Sequence, residues 1–243
     1  GRTFGAMTMT ASKSVQRENF APLVSEVTHV PNPYCYRCPL RQKYPSCGIA
    51  CVDVIEEYFD TICPASEIAA FFAEPIQGEG GYIVPPPEYF PKLKALLDKN
   101  GIPLVMDEVQ AGNGRTGKMF ASEHWGIKPD VLYTAKGLGA GMPIGAMVSS
   151  KKLTDWKAGA HANTYGGNPV ACSAALASME LLTAGLVQNA AAMGNVFLAG
   201  LSALQKVHER IGDVRGKGLM LAIELVKDPE TRERDPQLRD AVV

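Results

Sequence analysis

The chain has almost no surplus charge: 24 lysines and arginines stand against 25 aspartates and glutamates, a formal net charge of −1. With no basic stripe carrying interleaved aromatics, that balance argues against a nucleic-acid face and against a surface drawn to anionic membranes. Histidine is scarce. His29, His124, His161 and His208 form no metal-spaced pair, and none stands as a base beside a cysteine, so neither a histidine metal centre nor a Cys–His nucleophile is expected. No apolar run approaches the roughly 18 residues that suggest a membrane span, so no membrane partner is expected. No signal peptide, repeat or low-complexity tract is visible, and the expected compartment is the cytoplasm. What is present, 243 residues that are 46% hydrophobic and 20% charged, suits a globular protein of one large domain or two small ones.

Four of the six cysteines cluster as Cys35-x2-Cys38-x8-Cys47-x3-Cys51. The spacing admits zinc or an iron–sulfur cluster, but the middle gap is shorter than in a zinc ribbon, and reduced thiols in a loop are the simpler reading. No metal ligand is assigned. Cys63 and Cys172 read as small buried hydrophobes.

Apolar stretches and helical stretches alternate. Val24 to Thr28 is predicted as a strand, followed by a proline- and cysteine-rich loop over 31–51 and a helix from Val52 to Phe59. Ile68 to Ala73, Leu104 to Met106, Val131 to Ala135 and Ile144 to Ser149 read as strands. Glu88 to Lys99, ended by Asn100-Gly101, reads as a helix, and a second is expected around Thr116 to Trp125. Pro169 to Leu182 and Val187 to Arg210 have helical spacing, Ile211-Gly212-Asp213 breaks it, and Leu219 to Val226 reads as a strand before a charged, exposed stretch from Lys227 to Asp240. The expected fold class is α/β, with a mostly parallel central sheet flanked by helices in three layers and the start of a small C-terminal α/β domain.

Two ionisable groups sit where such sheets place ligands, at strand carboxyl ends. Asp107 ends one apolar run. Twenty-nine residues later Lys136 follows another and opens the turn Gly137-Leu138-Gly139-Ala140-Gly141. If their strands are neighbours joined by one crossover, both groups emerge on the same rim. An amine and a carboxylate at that separation suit pyridoxal 5'-phosphate: the lysine condenses with its aldehyde and later moves protons, and the acid keeps the pyridine nitrogen protonated. Gln110 carries an amide able to donate to the ring's phenolic oxygen.

Two glycine patterns nearby point elsewhere. Gly112-Asn113-Gly114-Arg115-Thr116-Gly117 satisfies G-x-G-x-x-G, but Asp107 to Ala111 intervene between strand and glycines, and Asp130 comes too early for the ribose acid. Gly112, Gly117 and Lys118 nearly spell a P-loop, but Met119 occupies the place of the hydroxyl that binds Mg²⁺. Lys118 then reads as a surface residue and the glycines as parts of a tight turn.

Four segments occur in order: Glu74-Pro75-Ile76-Gln77-Gly78-Glu79-Gly80-Gly81, Asp107-Glu108-Val109-Gln110 with its glycine-rich continuation, Thr134-Ala135-Lys136-Gly137-Leu138, and Thr164-Tyr165-Gly166-Gly167-Asn168-Pro169. Together they resemble the class III, pyridoxal-phosphate-dependent aminotransferases of fold type I, most of all the 4-aminobutyrate and acetylornithine group. The resemblance implies that Lys136 is the Schiff-base lysine, Asp107 the partner of the pyridine nitrogen, and Gln110 and Val109 neighbours of the ring. It implies that Thr164 reaches the cofactor phosphate of an adjacent subunit, so a homodimer or higher oligomer is expected. Glu79 matches a glutamate that pairs with a movable arginine in members acting on terminal amines, and Glu74 a nearby active-site acid.

It also implies a phosphate loop and a stacking aromatic before Gly1 and an arginine after Val243, so the chain is expected to be the central part of a longer enzyme. Residues 1–185 are expected to form the cofactor-binding domain, incomplete at its start, and 186–243 the linking helix and beginning of the small domain. The expected reaction moves an amino group from an amine or amino acid, possibly a terminal amine such as 4-aminobutyrate, to a 2-oxo acid. Racemases and decarboxylases of the same fold are the alternative. A metal-stabilised interaction module built on the cysteines is the alternative from another class.

Overall fold

The computed structural model describes residues 1–242. Helices α1 (Phe4–Met9) and α2 (Ala50–Thr61) precede a sheet whose strands lie in the order β1 (Phe71–Ala73), β2 (Leu104–Asp107), β3 (Val131–Thr134) and β4 (Ala146–Ser149). β1, β2 and β3 are parallel, and β4 runs antiparallel to β3. The crossover from β1 to β2 is α3 (Tyr89–Lys99), and a 3-10 turn (Ala121–Trp125) lies between β2 and β3. This is the mostly parallel α/β class expected.

Leu104, Val105 and Met106 are all buried, as a strand covered on both faces requires. Helix α3 buries Tyr89, Phe90, Leu93, Leu96 and Leu97, an i, i+1, i+4, i+7, i+8 stripe, while Lys94 and Lys99 form ion pairs on its outer side. Phe90 meets Trp125 edge-on at 5.2 Å, and the Trp125 indole donates to the Pro86 carbonyl at 3.2 Å. This core anchors the strand that ends in Asp107.

Beyond the sheet, α4 (Pro169–Leu181) starts at Asn168, whose Oδ1 accepts from the Val170 and Ala171 amides, with Pro169 in the first turn. A π turn over Leu182–Leu186, bent at Gly185, leads to α5 (Val187–Val207). α5 packs on a separate antiparallel hairpin, β5 (Ile211–Lys217) and β6 (Met220–Leu225), and a short α6 (Pro236–Val242) follows. Val243, the last residue of the expected second domain, lies outside the described residues.

Several expectations are corrected. Val24 to Thr28 is not a strand: Glu26 has φ +62, Val24 and Val27 are exposed, and the segment pairs with no strand. The helix expected around Thr116 is only the 3-10 turn, because Gly117 at φ +81 interrupts it and Gly126 in the left-handed region ends it. β1 begins at Phe71 and β4 at Ala146, later than their apolar runs. Ile211-Gly212-Asp213 breaks the helical spacing as expected, and it does so by opening a strand that the sequence reading did not assign, with Asp213 and Arg215 paired within the hairpin. The expected absence of a long apolar segment also fails. The helical stretch Pro169–Val207 contains an 18-residue window of mean hydropathy 1.7, enough by length and composition alone to cross a membrane. Its alanines and glycines hide the run from a count of large hydrophobes. They also let Ala190 and Gly194 pack tightly within the protein.

Candidate active site

The sequence places Asp107 as the last residue of β2 and Lys136 two residues past the end of β3, and the two strands are hydrogen-bonded neighbours with Asp107 in register with Tyr133. Adjacent strands are about 4.8 Å apart and rise about 3.3 Å per residue. Lys136, three residues beyond Asp107's register partner, therefore stands diagonally across the same rim. Glu74, just past β1, completes the row: its half-buried carboxyl feels both the Asp107 and the Lys136 charges. Burial pushes the Glu74 pKa up, and a hydrogen bond from the Gly78 amide to Oε1 at 3.1 Å opposes that rise.

Asp107 is oriented by its own loop, since Oδ1 accepts from the Val109 amide at 3.0 Å. Val109 thus contributes its backbone here. On the other side stands the Tyr133 phenol, whose pKa burial and the neighbouring Asp107 carboxylate push up. Gln110 lies against Gly78: a Cβ there would sit 2.4 Å from the Gln110 amide carbon, so only glycine lets that amide lie beside the Glu74 loop. Glu108, adjacent in sequence to Asp107, is fully buried and serves a different end. Its two oxygens accept from the amides of Ala121 and Ser122 at 2.9 and 2.8 Å, holding the 3-10 turn.

Glu79 is more exposed and meets the N-terminal segment, with Lys13 Nζ at 3.6 Å and Gln16 Nε2 at 3.5 Å. Thr164 is exposed in the segment before α4. Lys136 itself is exposed and takes φ +45, a left-handed conformation that a side-chain-bearing residue adopts at a cost.

Three groups escape the sequence reading. Tyr133 joins Asp107 only through strand register. Asn113 donates its amide to Thr134 Oγ1 at 2.8 Å and to the Ala135 carbonyl at 3.0 Å, immediately before Lys136; its place inside a motif with a left-handed turn was the available signal. Arg215, from β5, donates to the Gly81 carbonyl through Nε at 3.1 Å and Nη2 at 2.6 Å, tying the Glu79 loop to the hairpin. Asp213 and Glu224 hold its Nη1, and Tyr34 and Arg37 of the cysteine-rich loop donate in turn to Glu224.

The nucleotide-like glycines have packing roles. A Cβ on Gly117 would lie 2.7 Å from the Ala191 Cβ of α5, and one on Gly218 would lie 2.3 Å from the Thr116 carbonyl carbon, so loop, helix and hairpin interlock. Lys118 is exposed, as expected. Cys35, Cys38, Cys47 and Cys51 line one small cavity with Tyr34 and Pro86, and burial pushes the Cys51 thiol up to about 11. Among the described residues no group of three or more such side chains is arranged to hold a metal ion.

A primary amine and a carboxylate on adjacent parallel strand ends, with a half-buried acid and an amide beside them, fit an aldehyde-bearing pyridine in the chemistry of their donors. Known proteins bear on this directly. The family described as Aminotransferase class-III matches residues 1–241. A leucine/methionine racemase of Thermococcus litoralis is 46% identical over 236 residues, covering 96% of this chain and 53% of that protein. A 4-aminobutyrate aminotransferase of Mycobacterium leprae is 40% identical over 249 residues, covering 100% and 55%. The PLP-bound crystal structure of an amine transaminase from an uncultivated Pseudomonas species matches at TM-score 0.90 and 38% identity, covering 96% of this chain and 55% of that one. The chain thus spans about half the length of the curated relatives it matches. On the family match along almost its whole length and a shared fold at 0.90, the chain belongs to the class III aminotransferases, a pyridoxal-phosphate-dependent family of fold type I.

Proposed function

We propose that the whole protein is a pyridoxal-phosphate-dependent transaminase that moves an amino group from an amine or amino acid to a 2-oxo acid. The observation that carries this reading is the placement of Asp107 and Lys136 on the ends of neighbouring parallel strands, with Glu74 within electrostatic reach of both. When bound, the cofactor supplies an aldehyde that condenses with amines and a ring that withdraws electrons from the substrate Cα. Lys136 holds the cofactor and, once released from it, carries a proton to and from that carbon. Asp107, fixed by the Val109 amide, keeps a proton on the pyridine nitrogen, and Gln110 donates to the ring's phenolic oxygen. Glu74 borders this row, and Glu79, already within reach of an ammonium at Lys13, is the acid that tunes the pocket toward terminal amines such as 4-aminobutyrate.

Residues 1–185 form the cofactor-binding unit and 186–243 the linking helix and start of the smaller one, in keeping with the separate β5–β6 sheet. Thr164 serves the neighbouring cofactor across a homodimer or higher oligomer, and the enzyme works in the cytoplasm without nucleic acid or membrane. The test uses the full-length protein. It is expected to show visible absorbance from lysine-bound cofactor, and Lys136→Ala is expected to lose that absorbance together with at least about 10³-fold of activity. Retention of both in the variant removes the proposal.

The relative of highest identity quoted above is a racemase, which favours a second reading in which the same groups return the proton to the opposite face of the substrate. Incubating the enzyme with one enantiomer of leucine or alanine, without a 2-oxo acid, decides between the two. Appearance of the mirror form selects racemisation, and turnover only on adding an acceptor selects transfer.

A further inference from the structure

A lysine at φ +45 stays in that conformation only where its surroundings dictate it. Two contacts hold the peptide that enters Lys136: within the turn the Leu138 amide donates to the Ala135 carbonyl at 3.0 Å, and from outside the turn Asn113 donates to the same oxygen. Asn113 lies on the glycine-rich loop after β2, itself in the left-handed region at φ +53, and the Gly114 amide donates to the Met119 carbonyl at 3.2 Å to close that loop. From there the Asn113 amide nitrogen reaches across to β3. It lies 2.8 Å from Thr134 Oγ1 and 3.0 Å from the Ala135 carbonyl oxygen. A carbonyl only accepts, so the nitrogen end of the amide must face it, and both of its hydrogens are engaged. The Ala135 carbonyl belongs to the peptide whose nitrogen is that of Lys136. Holding this peptide plane fixes the bond about which the lysine's φ is measured.

We infer that Asn113 is a positioning residue for Lys136: its amide clamps the peptide entering the lysine and so sets the direction in which the ammonium leaves the sheet. The inference rests on the reading of Lys136 as the cofactor-bearing lysine. Asn113 touches neither substrate nor cofactor in this role. It acts through the backbone of the lysine turn, and it links the loop that carries Asp107 to the turn that carries Lys136, so that the two charges keep a fixed relation. Its neighbour Gly137 lies in ordinary contact with the Asn113 side chain, 3.6 Å from its Cβ to a Cβ built at Gly137, and imposes no competing constraint.

The test compares two substitutions in the full-length enzyme. Asn113→Asp keeps the size and the tolerance for left-handed backbone but has no N–H to donate, and Asn113→Gly keeps the backbone freedom with no side chain. In both, the pH midpoint of the lysine-bound cofactor's visible absorbance is expected to move by about half a unit or more. Cofactor reloading onto stripped enzyme is expected to slow about tenfold, and kcat/KM to fall about 10- to 100-fold with KM little changed. Thr134→Val, which removes one of the two acceptors, is expected to shift the midpoint in the same direction by less, and it serves if an Asn113 variant does not fold. A wild-type midpoint and reloading rate in Asn113→Gly overturn the inference, because the turn alone would then place the lysine. If the unaltered enzyme shows no such absorbance and no borohydride-fixed cofactor on Lys136, the underlying reading falls with it, and that outcome is separate from the first.

Discussion

Glu74 and Glu224 are both largely shielded carboxyls whose pKa values move in opposite directions. At Glu74 burial dominates and pushes the value up. At Glu224 burial pushes up too, but hydrogen bonds from Tyr34 and Arg37 and the charge of Arg215 outweigh it, and the value falls below its ordinary 4.5. A carboxyl depressed in the folded state adds stability above its unfolded value and loses it as pH falls through the folded value. Glu224→Gln is therefore expected to cost about 2 kcal/mol near neutrality. The gap from wild type should close as the pH is lowered below about 4. Thermal melts across that range check it, and a gap that persists undiminished at pH 3 contradicts it. The residue scale also shows what a sequence conceals. That Lys136 and Asp107 share one rim was legible because each follows an apolar run and the two runs are joined by a single crossover. Tyr133 was not, since its place beside Asp107 depends on the β2–β3 register, and neither was the division of labour between Asp107 at the rim and Glu108 in the core.

Among elements, the buried strands and α3 were legible because their apolar periodicity matches their burial. β5 was not, because Gly212, Asp213, Arg215 and Gly216 interrupt any apolar alternation, and the strand shows only once Glu224 is seen opposite to accept from Arg215. The glycines between Asp107 and the 3-10 turn were recognised as something other than a phosphate cradle, but the partner of Gly114 and Gly117 is the start of α5, some 70 residues later in the chain. This contact has measurable consequences. Gly218→Ala puts a methyl group into the Thr116 backbone at φ +53, and Gly117→Ala puts one into Ala191 at φ +81. Each is expected to destabilise by about 2–4 kcal/mol. Gly101→Ala, at φ +68 but with open space around it, is the control, with an expected loss of about 1 kcal/mol. Chemical denaturation orders the three, and an equal loss in all of them would mean that conformation, not close approach, selects these glycines.

Across the whole molecule, the long helical stretch leaves Leu176, Met179, Leu181, Val196 and Phe197 exposed, a surface of the kind that further protein covers. Thr164 and Tyr165 are exposed just before it, on the segment proposed to serve a neighbouring site. A shared site permits complementation. In full-length protein, Lys136→Ala and Thr164→Ala variants, each impaired alone, are expected to recover up to about a quarter of wild-type activity when unfolded and refolded together, because one site in each mixed dimer holds both native residues. No recovery, with mixed dimers confirmed by mass, would place Thr164 outside the neighbour's site. The two guanidinium contacts from Arg215 to the Gly81 carbonyl bridge 134 positions along the chain. On the ribosome, the acid-bearing turn at Glu79 emerges long before the residue that pins it. Its final shape must wait for the late hairpin, so a polypeptide halted ahead of β5 carries the loop's sequence but lacks this tether.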